Sequence, residues 1–391
     1  MHIFFIDSYI GLDTLSPITY FLKKNNQKTI IYNLNPVEDL KKDNLTKFLI
    51  NNNVIYKCIF PKDVKNFISI FLLKIILFLP KIIAGKLWNL WNYVFKKAVF
   101  IKKKDLKLFI SKLNTKSITI DEGLTENKKQ MIATICTELK IPIILVPNGL
   151  DHIKGDIKSY ENFERFYFYL CSNNLRTYDD RLKLSSKLKY IGAARYSEEW
   201  INILNKIYPQ SRYLDESEKK LCKIGFFVKY SIDHWAKYSR FDETRALITK
   251  IRKMKNVIVK VRNKPRDTMP LKYSKASSDN LNSTELIGWS DIIISPRSSS
   301  VLIEAVKKNR IVILLEYINP QIKELMVYDY DSIIKIKSEA ELIDLIENYL
   351  KNNIKIDKSK NQIFLKDFLY RKNIKNNVST EYINFYESFE K

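Results

Sequence analysis

The stretch Trp289-Ser290-Asp291-Ile292-Ile293-Ile294-Ser295-Pro296-Arg297-Ser298-Ser299-Ser300-Val301-Leu302-Ile303-Glu304-Ala305 decides how this chain is read. Three consecutive isoleucines mark a strand buried on both faces. The polar turn that follows opens into an amphipathic helix. A strand that empties through hydroxyls into a helix N-terminus is a candidate anion site. Free backbone N–H groups and the positive end of the helix dipole converge there, and Ser298, Ser299, Ser300 and Arg297 add donors. The turn lacks the glycine pattern of a Walker or dinucleotide loop, so a phosphate would be met by serine side chains and backbone. The competing reading is an ordinary serine helix cap.

Outward from this stretch, short apolar strands alternate with helix-period segments. Strands are expected at 2–7, 29–34, 54–60, 117–121, 142–147, 166–172 and 189–191, with helices at 15–24, 67–79, 87–100 and 126–139. The strand signal fades at 205–220, where Asp215-Glu216-Ser217-Glu218-Lys219-Lys220 reads as a linker. A second series runs from the strand at 223–228 through helix 243–254, strand 257–261, the opening stretch, strands 311–315 and 332–336, and helix 339–350. The expected fold is α/β: two Rossmann-like doubly wound domains facing a central cleft, where ligands meet strand C-termini. The expected divisions are an N-terminal domain at 1–204, a C-terminal donor domain at 221–354, and a helical tail at 355–391 that packs back on the N-terminal domain. No solenoid-length repeat is present.

A chain of 391 residues exceeds one comfortable core, and 46% hydrophobic content excludes disorder. Sixty-seven Lys+Arg against 43 Asp+Glu give +24, which suits an anionic partner: phosphorylated substrate, acidic lipid or nucleic acid. Heavy use of Lys, Asn and Ile also fits an AT-rich genome. Four scattered cysteines without a CxxC pair and three histidines argue against a zinc site or a disulfide framework, and for a reducing cytosol. No secretory signal is expected, since the first residues read as a strand. The apolar segment 67–84 is broken by Lys74, Pro80 and Lys81, and is followed by Trp88, Trp91 and several lysines. That pattern suits a helix pair lying on an anionic membrane at 67–104, or two ordinary core-facing helices, rather than a spanning helix.

Several strand ends carry chemistry. Asp121-Glu122-Gly123 places two acids and a permissive glycine where open parallel sheets hold catalytic groups. Neighbouring acids raise one another's proton affinity, as a general base requires. Asn148, Asp151 and His152 follow the next strand and are candidates to hold an acceptor or pass a proton. In the second domain the strand at 257–261 turns basic through Lys260 and Arg262, with Arg266 beyond. Lys229 occupies a corresponding strand end, and these groups suit a phosphate. Glu304 lies about one turn past Ser300, placed for ribose hydroxyls. Each has a plainer reading as a solvated edge or turn residue.

With these residues in view, the chain resembles the two-domain GT-B glycosyltransferases of bacterial surface-polysaccharide synthesis, including sialyltransferases and Kdo transferases. The segment from Asp291 through Ser298-Ser299-Ser300 to Glu304-Ala305 is similar to their donor-nucleotide element, and Asp121-Glu122-Gly123 to their acidic-glycine motif. A third element, Lys-x-His-Pro, is partly kept: Lys260 is present, Arg262 stands for the histidine, and Pro265 follows three residues later. The resemblance implies transfer of Kdo or a sialic-like acid from a CMP donor to a glycan or lipid-linked acceptor, for capsule or lipopolysaccharide. In that scheme Asp121 or Glu122 acts as base, with His152 beside them. Asn148 and Asp151 hold the acceptor; Lys229, Lys260, Arg262, Arg297, Ser298, Ser299, Ser300 and Glu304 hold the donor. No metal and no cofactor beyond the nucleotide sugar is required. The expected location is cytoplasmic, peripheral on the inner membrane face, without nucleic acid. Alternatives are a transferase using CDP-glycerol or a UDP-sugar, and a UDP-sugar 2-epimerase, which would need more cleft acids and histidines than three histidines suggest. From another class, a non-catalytic protein binding anionic lipid or nucleic acid would also use the charge.

Overall fold

The computed structural model describes residues 1–35, 40–58, 102–147, 162–170, 188–209, 216–218, 220–228, 241–263, 281–296, 300–324, 326–352, 354, 356–369 and 377–389. Two compact units result, Met1–Ile201 with Leu369–Lys391, and Asn202–Phe368. The expected helices at 67–79 and 87–100 lie outside the described residues.

In the first unit, seven strands form one parallel sheet: β1 (His2–Ile6), β2 (Thr29–Asn33), β3 (Ile55–Cys58), β4 (Ser117–Asp121), β5 (Ile143–Val146), β6 (Phe166–Leu170) and β7 (Leu188–Tyr190). Their order is β3-β2-β1-β4-β5-β6-β7, and every pairing is parallel. Strands covered on both faces need apolar residues on both, and β1 is buried at all five positions. One face places Ile3, Phe5, Ile118 and Ile120 in a core with Leu106 and Ile110 of α3 (Lys103–Ser111) and Ile132 and Ile135 of α4 (Glu126–Glu138). The other face meets α1 (Tyr9–Lys24), while α2 (Asn44–Asn51) packs on α1 and leads into β3.

Helix α1 starts six residues before the expected 15–24. Ser8 takes an extended N-cap conformation and its hydroxyl accepts the Gly11 N–H at 3.4 Å. Residues 9–14, ahead of that range, bury Gly11 and Thr14 at helical spacing in place of apolar side chains, so pattern alone hid them.

After α5 (Glu198–Ile207), which runs into the expected linker, a short turn at Glu216–Glu218 leads into the second sheet. Here β8 (Cys222–Val228), β9 (Val257–Asn263), β10 (Ile292–Ser295), β11 (Ile311–Leu315) and β12 (Ile333–Ile336) lie parallel in the order β12-β11-β10-β8-β9. The connecting helices are α6 (Phe241–Arg252), α7 (Ser283–Trp289), α8 (Val301–Lys307) and α9 (Glu339–Leu350). The segment 355–391 is divided between the two units. Most of α10 (Lys358–Leu369) belongs to the second, and α11 (Val378–Glu387) belongs to the first. Tyr386 of α11 is fully buried, stacks 5.9 Å from Phe4, and shares a 2.6 Å hydrogen bond with the Thr119 hydroxyl.

In each sheet the strand order reverses once, between β1 and β4 in the first and between β8 and β10 in the second. Ligands of doubly wound folds bind outside the carboxyl ends of strands at such points.

Candidate active site

At the reversal point of the first sheet, β1 ends in Asp7-Ser8 and β4 in Asp121-Glu122. Asp121 is 0% exposed and Glu122 4%. The Gly123 N–H donates to Asp121 Oδ2 at 3.0 Å and the Glu122 N–H to the Val146 carbonyl at 2.9 Å, which locks the turn onto β5. Asp121 lies against the first turn of α1: a Cβ on Gly11 would sit 2.8 Å from Asp121 Oδ1. Asp7 is 9% exposed and pairs at 3.3 Å with Lys128, which reaches over from the first turn of α4. On α1, Asp13 forms an ion pair with Arg195, which follows β7. Among the described residues, these four carboxylates against two cations make this edge acidic. It suits proton transfer and sugar hydroxyls better than a phosphate. Asp7, Gly11, Lys128 and the Asp13–Arg195 pair were not singled out in the sequence. A lone Asp closing the first strand was the one available signal.

In the second unit the acidic and basic groups are knit together. Glu304, 3% exposed, is in ion-pair contact with Lys308 at 3.1 Å and accepts from the Thr284 hydroxyl at 3.3 Å, so it joins α8 to the first turn of α7. That turn carries a capping box: Asn282 accepts the Glu285 N–H at 2.8 Å, and Glu285 accepts the Asn282 N–H at 2.6 Å. Arg262, near the carboxyl end of β9, donates to the Leu281 carbonyl and, at 3.2 Å, to the Ser283 hydroxyl. Ser300 precedes α8 in helical conformation, and its hydroxyl makes no cap hydrogen bond. Ser295, 2% exposed, donates to the Phe227 carbonyl at 3.3 Å across the reversal point.

Lys260 departs from expectation. It occupies the centre of β9, in register with Gly225, rather than its basic end. Its ammonium lies 3.2 Å from Glu218 and 4.1 Å above the Trp289 ring, and the Trp289 indole N–H donates to the same Glu218 oxygen at 2.7 Å. The acidic run expected as a plain linker therefore supplies the partner of this lysine. At the end of β11, Glu316 is also engaged, accepting from Tyr328 at 2.6 Å and pairing with Lys323 at 2.8 Å. The Lys323 ammonium and the Tyr328 hydroxyl hold its carboxyl below the usual range.

Asn148, Asp151, His152, Lys229, Arg297, Ser298 and Ser299 lie outside the described residues. Among the described residues no cluster of three His, Cys, Asp or Glu side chains could hold a metal ion, and no helix is long and apolar enough to cross a membrane.

Neither a protein-family model nor a curated protein matches the sequence. Solved structures do match the fold. A Listeria monocytogenes protein assigned as a UDP-N-acetylglucosamine 2-epimerase aligns over 97% of this chain and 93% of its own, at TM-score 0.58 and 9% identity. The UDP-GlcNAc 2-epimerase of Methanocaldococcus jannaschii aligns over 93% and 98%, at TM-score 0.56 and 15% identity. The spinosyn rhamnosyltransferase SpnG covers 100% of both chains, at TM-score 0.51 and 10% identity. At such identities the likeness is one of fold, and it shows that this chain has the two-domain, Rossmann-like GT-B fold.

Proposed function

We propose that the chain is an enzyme acting on a UDP-linked sugar, and that its reaction is inversion at C2 of a UDP-N-acetylhexosamine. What carries the reading is the carboxylate-rich reversal point of the first sheet, in a chain whose fold follows UDP-GlcNAc 2-epimerases over nearly its whole length. The hydrogen on C2 of a sugar 1-diphosphate is not acidic by itself. It becomes so as the C1–O bond breaks and UDP departs with the bonding pair. Inversion then removes a proton from one face and returns one to the other while UDP adds back, so acid–base groups are needed on both faces. Carboxylates can supply them without added histidines. Glu122 is assigned to proton transfer, with the Asp7–Lys128 pair as the second group. Glu304 would bind ribose and the segment at 297–300 the diphosphate.

The CMP-linked Kdo or sialic-acid donor has less support. Arg262 stands where the CMP motif carries histidine, and its guanidinium is engaged by Leu281 and Ser283. Glycosyl transfer is the second reading, supported by the SpnG likeness. Incubating the protein with UDP-GlcNAc in D2O separates the two. The epimerase forms the C2 epimer with deuterium at C2 and needs no acceptor, whereas a transferase releases UDP only when an acceptor is added. A chain that gives neither product, and no thermal shift with UDP, has neither activity. The basic aromatic segment at 67–104 and the +24 charge support peripheral placement on an anionic membrane, tested by co-sedimentation with anionic against neutral vesicles.

A further inference from the structure

The geometry points to Gly11 and Asp121 as one positioning element that sets the orientation of Glu122; this rests on the role proposed for Glu122. Asp121 and Glu122 are consecutive, yet their surroundings divide the work between them. The Asp121 carboxylate is turned inward. One oxygen takes the Gly123 N–H, the residue is 0% exposed, and the other oxygen faces the first turn of α1. That approach exists because residue 11 has no side chain. An added Cβ would lie 2.8 Å from Asp121 Oδ1, 3.1 Å from its Cγ and 3.2 Å from Ile6 Cβ. An added Cβ therefore displaces the fully buried Asp121 side chain, which accepts the Gly123 N–H, and with it the turn at the end of β4.

Glu122 is held on both sides by this arrangement. Its own N–H is fixed on Val146, and the next N–H is fixed on the Asp121 side chain. The Leu124 N–H closes the turn on the Asp121 carbonyl at 3.2 Å. Displacing Asp121 therefore tilts the peptide that aims the Glu122 carboxylate. Misplacement of a reacting group by about 1 Å costs on the order of 100-fold, and a shift of a few tenths of an ångström should cost about 10-fold.

Two measurements on the full chain test this. In calorimetry, Gly11→Ala lowers Tm in the wild-type background and lowers it much less in an Asp121→Ala background, where the clashing atoms are gone. Equal losses in both backgrounds overturn the contact. In C2 deuterium exchange, Asp121→Asn keeps an oxygen for Gly123, lowers kcat about 10-fold at unchanged KM, and retains the acidic limb of the kcat–pH profile. Glu122→Gln loses that limb. Loss of the limb in Asp121→Asn, or a rise in KM alone, makes Asp121 a group that meets the substrate and overturns the positioning role. A wild-type chain that exchanges no UDP-sugar refutes the proposed reaction and Glu122's part in it, while the calorimetric cycle still decides the Gly11–Asp121 contact.

Discussion

Replacing Lys260 with methionine separates a structural lysine from a phosphate ligand. Methionine keeps the length of the stem but removes the charge. In the wild type the ammonium sits 4.1 Å above the Trp289 ring and 3.2 Å from Glu218, with the two side chains of the ion pair 23% and 14% exposed. A partly desolvated cation–π contact contributes about 1 kcal/mol. A hydrogen bond between charged groups contributes roughly 1.5 kcal/mol or more, part of which is retained because Trp289 still donates to Glu218. Because the three groups are coupled, the total is set at about 2 kcal/mol rather than the sum. For a transition of this size that corresponds to a fall in Tm of roughly 4–8 °C. UDP affinity, measured by titration calorimetry, should stay within about twofold. A phosphate ligand would behave in the opposite way, since losing about 1.4 kcal/mol of binding weakens affinity tenfold while leaving the free protein untouched. An unchanged Tm with tenfold weaker UDP binding would refute the structural assignment.

Tyr386→Phe leaves the Thr119 hydroxyl without its 2.6 Å partner in a fully buried site and should cost about 1–3 kcal/mol in urea unfolding, with the secondary structure retained. His2 is buried with its pKa depressed from 6.5 to about 3, chiefly by burial, so the unfolded chain binds a proton there between those values and the folded chain does not. Stability from this site is therefore full above about pH 6.5 and declines as pH falls toward 3; His2→Gln should move the acid-unfolding midpoint to lower pH. Glu304→Ala should weaken UDP binding about tenfold by calorimetry, and Lys308→Ala less so, because Lys308 touches Glu304 rather than the proposed ribose.

The elements were legible wherever the local pattern is strong. The isoleucine run of β10 and the apolar β1 read directly as buried strands, and their alternation with helices implied parallel sheets. Strand order was not legible, because His2 meets Ser117 across 115 residues and no local signal encodes that pairing. The same limit governs the site. Asp121-Glu122-Gly123 stood out as a compact motif at a strand end. Asp7 did not, since its partner Lys128 is 121 positions away. The surroundings of Lys260 were hidden for the same reason: a lysine near a basic strand end reads as a phosphate ligand, and Glu218 and Trp289, which pack around it, come from other elements. Gly11 carried no signal, because its contribution is the space it leaves for a residue that pairs elsewhere in the sequence.

The assignment of α11 to the first unit has a consequence for synthesis. Domains generally fold as they leave the ribosome, the earlier one first. Here the first sheet is translated by residue 190, yet the face that meets α1 is completed by Tyr382 and Tyr386, both essentially inaccessible to solvent. The second unit, residues 202–368, is translated in full before those tyrosines exist. The later-made half can therefore reach its native state first, while the earlier-made half waits with Phe4 and its neighbours uncovered. The nascent chain is then prone to aggregation until α11 has been made, and a stop codon shortly after residue 368 would damage the first unit, although it falls beyond that unit's last strand.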